Sequence, residues 1–290
     1  MRLATIDRNG RPTPAVRKGN DYVDLTQAAP ALPKDIIALI GALGEVRGAI
    51  EEAAENASGA AIVPGEQVRF FPLVPRPGKM ICLGLNYVDH AAEGGHKPPE
   101  YPAIFLRGPS SLTAHKQPII RPQCSVQLDY EAELAVIIGK TARHLTKDNA
   151  LDCVAGYACF NEGSVREYQR KTPQWTIGKN FDQTGGFGPD LVTPDELPAG
   201  AKGLKIMSRL NGKVMQDGNT ADMIFDVPTT LVTLSECMTL EPGDVIVMGT
   251  PAGVGHAKKP GPVWMKAGDT IEIEIEGIGT LVNPIEDEAA

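Results

Sequence analysis

The chain has 290 residues, of which 42% are hydrophobic and 22% are charged. These proportions are typical of a folded globular protein and exclude an intrinsically disordered or fibrous one. Lys and Arg total 28 against 36 Asp and Glu, and the resulting net charge of −8 repels phosphate backbones, so we expect no nucleic-acid partner.

The sequence also argues against a membrane protein. It contains no run of eighteen apolar residues, and its first twelve residues lack the apolar stretch of a secretory signal. We therefore expect a cytoplasmic protein without a membrane partner. The five cysteines are scattered and include no C-x-x-C pair, a spacing typical of reduced, mostly buried thiols.

Residues 1–72 predict a small N-terminal α+β module. Residues 3–6 and 22–25 are strand-like, and residues 34–56, rich in Ala, Ile, Leu and Glu, predict a helix. The module ends in FFPLVPRPGK, where three prolines and a glycine indicate an irregular connection. A large domain with a small accessory one also suits the chain length.

Residues 73–290 predict a second, larger and β-rich domain. Its short apolar strands, separated by Gly and Pro, are KMICLG, PAIFLRG, ELAVIIGK, GDVIVMGT and GDTIEIEIEG. The strands lack regular intervening helices, which favours a sandwich or barrel-like roll over a doubly wound parallel sheet. The fold class predicted for the chain is therefore mixed α/β and β-rich.

The segment DYEAELAVIIG supplies two candidate metal ligands, Glu131 and Glu133. They are two residues apart, so a strand would direct both carboxylates to one face. A solvated strand face explains such spacing equally well, as the alternation of Glu272 and Glu274 with isoleucines shows. Glu131 and Glu133, however, lead into a continuous apolar run typical of a strand buried on both faces. Buried carboxylates need compensation, which a hard cation would supply.

The segment NYVDHAAEGG places His90 and Glu93 three residues apart. On one helical turn, this spacing lets the carboxylate orient the imidazole and support it as a general base. A His–Glu pair on an exposed helix explains the spacing as well. Gly94, Gly95, Pro98 and Pro99 follow and cannot continue a helix, which predicts a mobile lid over the substrate.

The glycine-rich segment GTPAGVGHA does not match a nucleotide-binding motif. It lacks both the G-x-x-x-x-G-K-S/T order and the third glycine of a dinucleotide fingerprint. Its glycines after a strand predict backbone amides that approach an anionic ligand, with Thr250 adding a hydroxyl.

Two polar clusters, FNEGSVREYQ and TIGKNFD, complete the candidates. They place Glu162, Arg166, Gln169 and Lys179 in stretches otherwise made of apolar residues and glycine. Taken singly, each cluster is equally well explained as a polar loop surface.

In order and spacing, these segments resemble the fumarylacetoacetate hydrolase family. The matching pieces include LGLNYVDHAAE, PAIFLRGPSSL, DYEAELAVIIGK, AGYACFNEGSVREYQ, IGKNFD, LNGKVMQ and LEPGDVIVMGTPAGVG, and the resemblance covers about two hundred residues. It implies a mixed β-sandwich roll, commonly a homodimer, behind a variable N-terminal module.

The resemblance assigns roles to ten residues. It implies a Mg²⁺ or Mn²⁺ site formed by Glu131, Glu133 and Glu162. It implies catalytic roles for His90, Glu93 and Lys179, and a pocket lined by Arg166, Gln169, Gln216 and Thr250. The chain departs from the common family pattern twice, since Glu162 replaces Asp and Arg107 replaces Lys. The first change puts the reach of the third ligand in question, and the second could alter the preferred acyl group.

The implied substrate is a 2-oxo acid with a 1,3-dicarbonyl, such as an acylpyruvate. Water activated by His90 would attack the distal carbonyl, and the metal with Lys179 would stabilise the pyruvate enolate expelled by carbon–carbon cleavage. Oxaloacetate decarboxylation and isomerisation of a 5-carboxymethyl-2-hydroxymuconate also pass through an enolate or dienolate, so both remain alternatives. A non-catalytic small-molecule binder on the same fold is a further one.

Overall fold

The computed structural model of the chain describes residues 1–93, 95 and 97–289. The strands are β1 (Arg2–Asp7), β2 (Pro12–Lys18), β3 (Asp21–Asp24), β4 (Ile62–Val63), β5 (Met80–Gly84), β6 (Ala103–Leu106), β7 (Leu112–Ala114), β8 (Ile119–Arg121), β9 (Leu128–Asp129), β10 (Ala132–Ile138), β11 (Val154–Glu162), β12 (Ser164–Val165), β13 (Gly185–Val192), β14 (Lys205–Leu210), β15 (Lys213–Asn219), β16 (Val245–Val247), β17 (Thr270–Ile275) and β18 (Gly279–Asp287). The helices are α1 (Leu25–Ala28), α2 (Ile36–Gly41), α3 (Leu43–Asn56), α4 (Val88–Glu93), α5 (Arg166–Gln169), α6 (Thr176–Lys179) and α7 (Val227–Cys237).

A mixed sheet of eleven strands forms the centre of the fold. Its order is β4-β3-β2-β1-β13-β11-β10-β16-β5-β6, with β7 paired to β13 beside this path. Most neighbours are antiparallel, whereas the pairs β16–β5 and β13–β7 are parallel. A second sheet has the order β15-β14-β17-β18-β8, and β12 pairs with β9 alone. This strand-rich, mixed architecture confirms the predicted fold class.

Strand β10 lies between two hydrophobic cores, and all seven of its residues are buried. Leu134 and Val136 pack in the core shared with the five-stranded sheet and α7. Ala135 and Ile137 pack on the opposite side, in the core shared with α2 and α3. The continuous apolar run thus has the physical cause inferred from sequence, because period-two side chains meet an apolar layer on each face.

Strand β17 shows the contrasting pattern, in which buried and half-exposed residues alternate. Its glutamates lie on the outer side, where Nη1 of Arg209 contacts Glu274 at 2.5 Å and Glu272 at 3.7 Å. The prediction of a half-exposed strand here is confirmed.

The N-terminal strands extend the central sheet. β1 pairs antiparallel with β13, and β2, β3 and β4 follow outward. Across this junction Asp190 of β13 accepts from Tyr22 at 2.8 Å and from Arg17 at 2.9 Å. A division near residue 72 stays a prediction, since the hydrogen-bonded ladder runs continuously from one side of it to the other.

The helix predicted over residues 34–56 is two helices, α2 and α3, separated at Ala42. The side chain of Asp35 caps α2 by accepting from the N–H groups of Ile37 and Ala38. At the other end of α2, Gly41 packs against Pro242 so closely that an added Cβ would lie 3.3 Å from the proline side chain. The helix prediction was therefore right in type and wrong in continuity.

Two further expectations concern the cysteines and the membrane. All five cysteines are free thiols; three are buried, whereas Cys124 and Cys237 are exposed. In the part of the chain that the structure describes, no helix is both long and apolar enough to span a bilayer.

Candidate active site

A cavity of about 290 Å³ lies beside the start of β10 and the end of β5. Seven of the ten predicted site residues line it: His90, Glu131, Glu133, Arg166, Gln169, Lys179 and Thr250. The other three, Glu93, Glu162 and Gln216, are not part of its wall. Residues distant in sequence are brought together because β5, β10 and β16 are neighbours in the central sheet.

Glu131 is buried and is held by three side-chain donors. Its Oε1 accepts from Nη2 of Arg166 at 2.7 Å, and its Oε2 accepts from Nζ of Lys179 and from Oγ of Ser164. Burial opposes ionisation, but Arg166 and Lys179 outweigh it and hold the pKa of Glu131 well below its ordinary value. Glu131 is therefore a fixed negative charge at neutral pH.

Glu133 is in the opposite electrostatic situation. Its Oε2 accepts from the backbone N–H of Gly249 at 2.6 Å. Burial, reinforced by the carboxylates of Glu162 and Glu131, raises the pKa of Glu133 well above its ordinary value. Glu162 and Glu131 therefore lie close enough to oppose the ionisation of Glu133.

Glu162 ends β11 and is fully buried. Its Oε1 forms an ion pair with Nη1 of Arg107, whose side chain is equally buried. Its Oε2 is buried and has no hydrogen-bond partner among the described residues. Glu162 and Arg107, the two residues that depart from the common family pattern, are thus in direct contact. The guanidinium of Arg107 holds the carboxylate of Glu162.

The acidic group has donors suited to a divalent cation. Carboxylate oxygens are the ligands that Mg²⁺ and Mn²⁺ prefer, and such a cation would compensate both the orphan oxygen of Glu162 and the mutual repulsion around Glu133. Within the described ranges, no three His, Cys, Asp or Glu side chains are arranged to hold a metal ion. In this structure protein donors contact the carboxylates instead. The three acidic side chains are ligands of the right chemical type for Mg²⁺ or Mn²⁺, and the cation site stays a prediction.

The glycine-rich loop after β16 binds carboxylates of the chain itself. The N–H of Gly253 donates to both oxygens of Glu93 at 3.1 Å, and the N–H of Gly255 donates to Oδ1 of Asp129 at 2.7 Å. With Gly249 bound to Glu133, the amides expected to meet an anionic ligand are already satisfied. That expectation was wrong in its partner: the anions are internal acidic side chains.

Gln216 supports the site from behind the cavity wall. Its Oε1 accepts from the N–H of Ala132 at 2.9 Å, and its Nε2 donates to Oγ1 of Thr250 at 2.7 Å and to the carbonyl of Pro251 at 2.8 Å. Thr250 in turn donates to the carbonyl of Ala132 at 2.9 Å. Thr250 lines the cavity, whereas Gln216 positions it.

His90 lies on α4 and faces the cavity. The segment before this helix is anchored by Asn86, whose Nδ2 donates to the carbonyl of Met248 at 2.7 Å. Nδ1 of His90 is 3.5 Å from Oε2 of Glu93, and His90 is only 9% exposed. The alternative of an exposed surface pair does not describe this histidine. The helix ends at Glu93; Gly94, part of the predicted lid, lies outside the described residues.

The structure adds an apolar wall that sequence analysis did not identify. Phe105 and Trp175 line the cavity with their rings edge to face, 5.9 Å between centroids. Nζ of Lys179 lies 5.1 Å from the centre of the Phe105 ring. Trp175 approaches β5 so closely that a Cβ on Gly84 would be 2.0 Å from its ring, a contact only glycine permits. The glycine in KMICLG was the available signal.

His256 and Asp129 were also missed. His256 lines the cavity, and its Nδ1 lies 3.3 Å from Oδ2 of Asp129, which also accepts from Nε of Arg166 at 2.8 Å. The letters GVGHA and LDYEAE contained both residues, but nothing in local spacing connects positions 127 residues apart.

Comparison with models of protein families gives a match to most of the chain. The family model described as fumarylacetoacetate (FAA) hydrolase, C-terminal, matches residues 79–286. The chain belongs to the fumarylacetoacetate hydrolase family. The matched region contains all ten predicted site residues and begins at the last residue of the proline-rich connection.

Members of the fumarylacetoacetate hydrolase fold with several activities are similar to this chain. A mitochondrial oxaloacetate tautomerase of Rattus norvegicus is 39% identical over 268 residues, covering 92% of this chain and 84% of that protein. The structure of maleylpyruvate hydrolase from Sphingobium sp. SYK-6 in complex with manganese(II) and pyruvate is 32% identical, with a TM-score of 0.82 over 100% of both chains. A 5-carboxymethyl-2-hydroxymuconate delta-isomerase from Mycobacterium smegmatis is 29% identical, with a TM-score of 0.76 over 100% of both chains.

Proposed function

We propose that the chain is a divalent-cation-dependent hydrolase that cleaves a carbon–carbon bond in an acylpyruvate or related 2,4-dioxo acid. The observation that carries this proposal is one cavity in which Glu131 and Glu133, with Glu162 behind them, adjoin a carboxylate-backed imidazole, His90. The similarity to a maleylpyruvate hydrolase bound to manganese(II) and pyruvate supports it.

The protein groups divide into a binding end and a reacting end. A divalent cation held by the three glutamates would supply Lewis-acid polarisation of the 2-oxo acid. Lys179 and Arg166 add positive charge beside Glu131, where negative charge develops on the pyruvoyl oxygen. Thr250 offers a hydroxyl at the same wall, and Phe105 and Trp175 exclude water.

His90 performs the proton transfer that hydrolysis requires. With Glu93 orienting its Nδ1, the imidazole removes a proton from water, and the resulting hydroxide attacks the distal carbonyl. Cleavage then leaves the electron pair on the carbon beside the 2-oxo group, as pyruvate enolate. A binding protein would need no such base, so this dyad favours an enzyme.

A second candidate activity is oxaloacetate tautomerisation. The specific observation is the 39% identity to a protein named oxaloacetate tautomerase, over 92% of the chain. Tautomerisation moves a proton between carbon and oxygen of the same 2-oxo unit, so it needs the same binding end but no activated water. Oxaloacetate decarboxylation and hydroxymuconate isomerisation use the same enolate chemistry and belong in the same assay.

The test is a substrate panel with purified protein and Mg²⁺ or Mn²⁺. Pyruvate release from acetylpyruvate, maleylpyruvate and oxaloacetate is followed with lactate dehydrogenase, and oxaloacetate keto–enol conversion by absorbance. We expect acylpyruvate cleavage that chelation abolishes and the cation restores. Activity that survives exhaustive EDTA treatment would contradict the cation dependence, and absence of acylpyruvate cleavage alongside tautomerisation would favour the second candidate.

A matched pair of variants tests the cation ligands separately from turnover. Glu133→Gln removes a carboxylate from the buried acidic group, whereas Glu272→Gln removes one from the half-exposed face of β17. We expect the first to weaken Mn²⁺ binding, measured by calorimetry, at least tenfold and the second to leave it unchanged. Equal affinities in both variants would refute the ligand assignment.

Two further proposals concern the assembly of the chain and its location in the cell. We propose a homodimer and a cytoplasmic location, with small 2-oxo acids rather than nucleic acids or membranes as partners. The net charge of −8 supports the absence of nucleic-acid binding.

A further inference from the structure

His256 is a second imidazole in the cavity that the proposed hydrolysis does not use. It is the middle residue of the turn Gly255–Ala257, where its backbone N–H donates to Oδ2 of Asp129 at 3.0 Å and its ring Nδ1 lies 3.3 Å from the same oxygen. Nε2 makes no hydrogen bond among the described residues. The ring is therefore tied to protein through Nδ1, which leaves Nε2 available to a ligand in the cavity.

Asp129 is built to hold this imidazole. It is fully buried and accepts from the N–H groups of Tyr130 and Gly255 as well as from Arg166. A carboxylate held in this way orients the imidazole and fixes which ring nitrogen faces the cavity.

Each imidazole of the cavity contacts a carboxylate of its own, and both lie near Glu93. Asp129 contacts His256, and Glu93 contacts His90 at 3.5 Å. Glu93 is also within electrostatic reach of His256: partial burial opposes ionisation, yet His90, the N–H of Gly253 and His256 together lower its pKa. The cavity thus has two places to hold a proton, where activating water requires one.

Acylpyruvate cleavage needs a second proton transfer, at the carbon that loses its bond. We propose that His256 is the proton-transfer residue for C3 of the pyruvoyl unit, an inference that rests on the proposed function. Its Nε2 gives a proton to the enolate: the electron pair of the C2–C3 double bond forms the new C3–H bond, and the C2–O double bond re-forms. His256 becomes neutral, as His90 carries the proton taken from water.

The protons of the cycle balance without any other reactant. One proton returns from His90 to His256, and the carboxylic acid product releases its own proton to solvent. The same group serves a tautomerase in the opposite direction. Neutral His256 removes the C3 proton of the keto acid, and the C–H pair becomes the C2–C3 double bond. The carbonyl oxygen takes a proton from solvent, to which His256 returns the proton it removed.

Hydrogen exchange on pyruvate isolates this step. In D₂O with Mg²⁺, an enzyme that transfers protons at C3 replaces the methyl hydrogens of pyruvate with deuterium, which proton NMR measures. Pyruvate has no distal acyl group, so water attack and distal binding do not contribute. The variant His256→Asn keeps an amide N–H near the position of Nδ1 for Asp129 and removes Nε2.

We expect His256→Asn to slow methyl exchange about 100-fold or more, in the range of a lost acid–base group. His90→Asn should slow exchange less than His256→Asn does, because that base acts on water. His144→Asn is the matched control; this histidine is exposed, lies outside the cavity wall and has φ of 50°, which Asn adopts readily.

Each outcome decides the matter. Exchange within about threefold of wild type in His256→Asn overturns the inference, and so does an equal loss in His90→Asn. If circular dichroism shows that His256→Asn is unfolded, folded His256→Ala with added imidazole replaces it; restored exchange supports the role and absent rescue overturns it. Wild-type protein that neither turns over the substrate panel nor exchanges pyruvate refutes the proposed function itself, whereas turnover without exchange refutes only the role of His256.

Discussion

The buried ion pair between Arg107 and Glu162 gives the most demanding test of how this site is held together. Both side chains are completely inaccessible to solvent. The perturbation is Arg107→Met, which keeps an unbranched apolar side chain and removes the guanidinium. It leaves Glu162 buried with neither carboxylate oxygen partnered by a cation, since Oε2 already lacks a hydrogen bond.

The expected magnitude follows from what the guanidinium contacts. Besides Glu162, it donates to the carbonyl of Gly163 at 3.1 Å, to Oγ of Ser111 at 3.1 Å and to Oγ1 of Thr184 at 2.9 Å. Removing one partner of a buried pair costs about 3–5 kcal/mol of unfolding free energy. The double variant Arg107→Met with Glu162→Gln removes the stranded charge, so only hydrogen bonds of about 1 kcal/mol each remain lost.

The assay is urea unfolding of wild type, both single variants and the double variant. We expect about 4 kcal/mol lost in Arg107→Met, and the double variant, with three hydrogen bonds lost, to be about 1 kcal/mol more stable than that single variant. Arg107→Lys should lie between wild type and Arg107→Met because it keeps the charge and loses the fork. A loss below about 1 kcal/mol in Arg107→Met, or strictly additive single losses, would refute the pairing argument.

Three further predictions concern catalysis, acid stability and assembly. His90→Ala should lower hydrolytic kcat by about 100-fold to 10,000-fold with cation affinity nearly unchanged, and Glu93→Gln should reproduce much of this loss; equal losses of hydrolysis and decarboxylation would contradict water activation. Burial, with Lys116 and Arg17 nearby, lowers the pKa of His115 from 6.5 to about 4. The folded state therefore holds His115 neutral, and its contribution to the free energy of unfolding should be fully present above pH 6.5. Between pH 6.5 and pH 4 the free energy of unfolding should fall by about 1.4 kcal/mol per pH unit. In urea titrations, His115→Gln should remove this part of the pH dependence. Light scattering should give twice the 30.9 kDa chain mass, and a value near 31 kDa would rule out the dimer.

Local sequence was sufficient where periodicity and burial agree. The apolar run after Glu133 predicted a strand buried on both faces, and β10 has an apolar layer on each side. The alternation around Glu272 and Glu274 predicted a half-exposed strand, which β17 is. Both follow from the period of two, which a sequence displays directly. The helical stretch predicted over residues 34–56 is helical in type, but the structure divides it into α2 and α3 at Ala42.

The sequence by itself determined the family, the β-rich fold class and seven residues of the cavity wall, because these depend on residue types in a fixed order. Tertiary structure decided which donor meets which acid. It paired Arg107 with Glu162, aimed the glycine-loop amides at internal carboxylates, and brought His256 to Asp129 from 127 residues away. Such contacts depend on strand order in the central sheet, where neighbours in space are distant in the chain. Local spacing contains no record of that order.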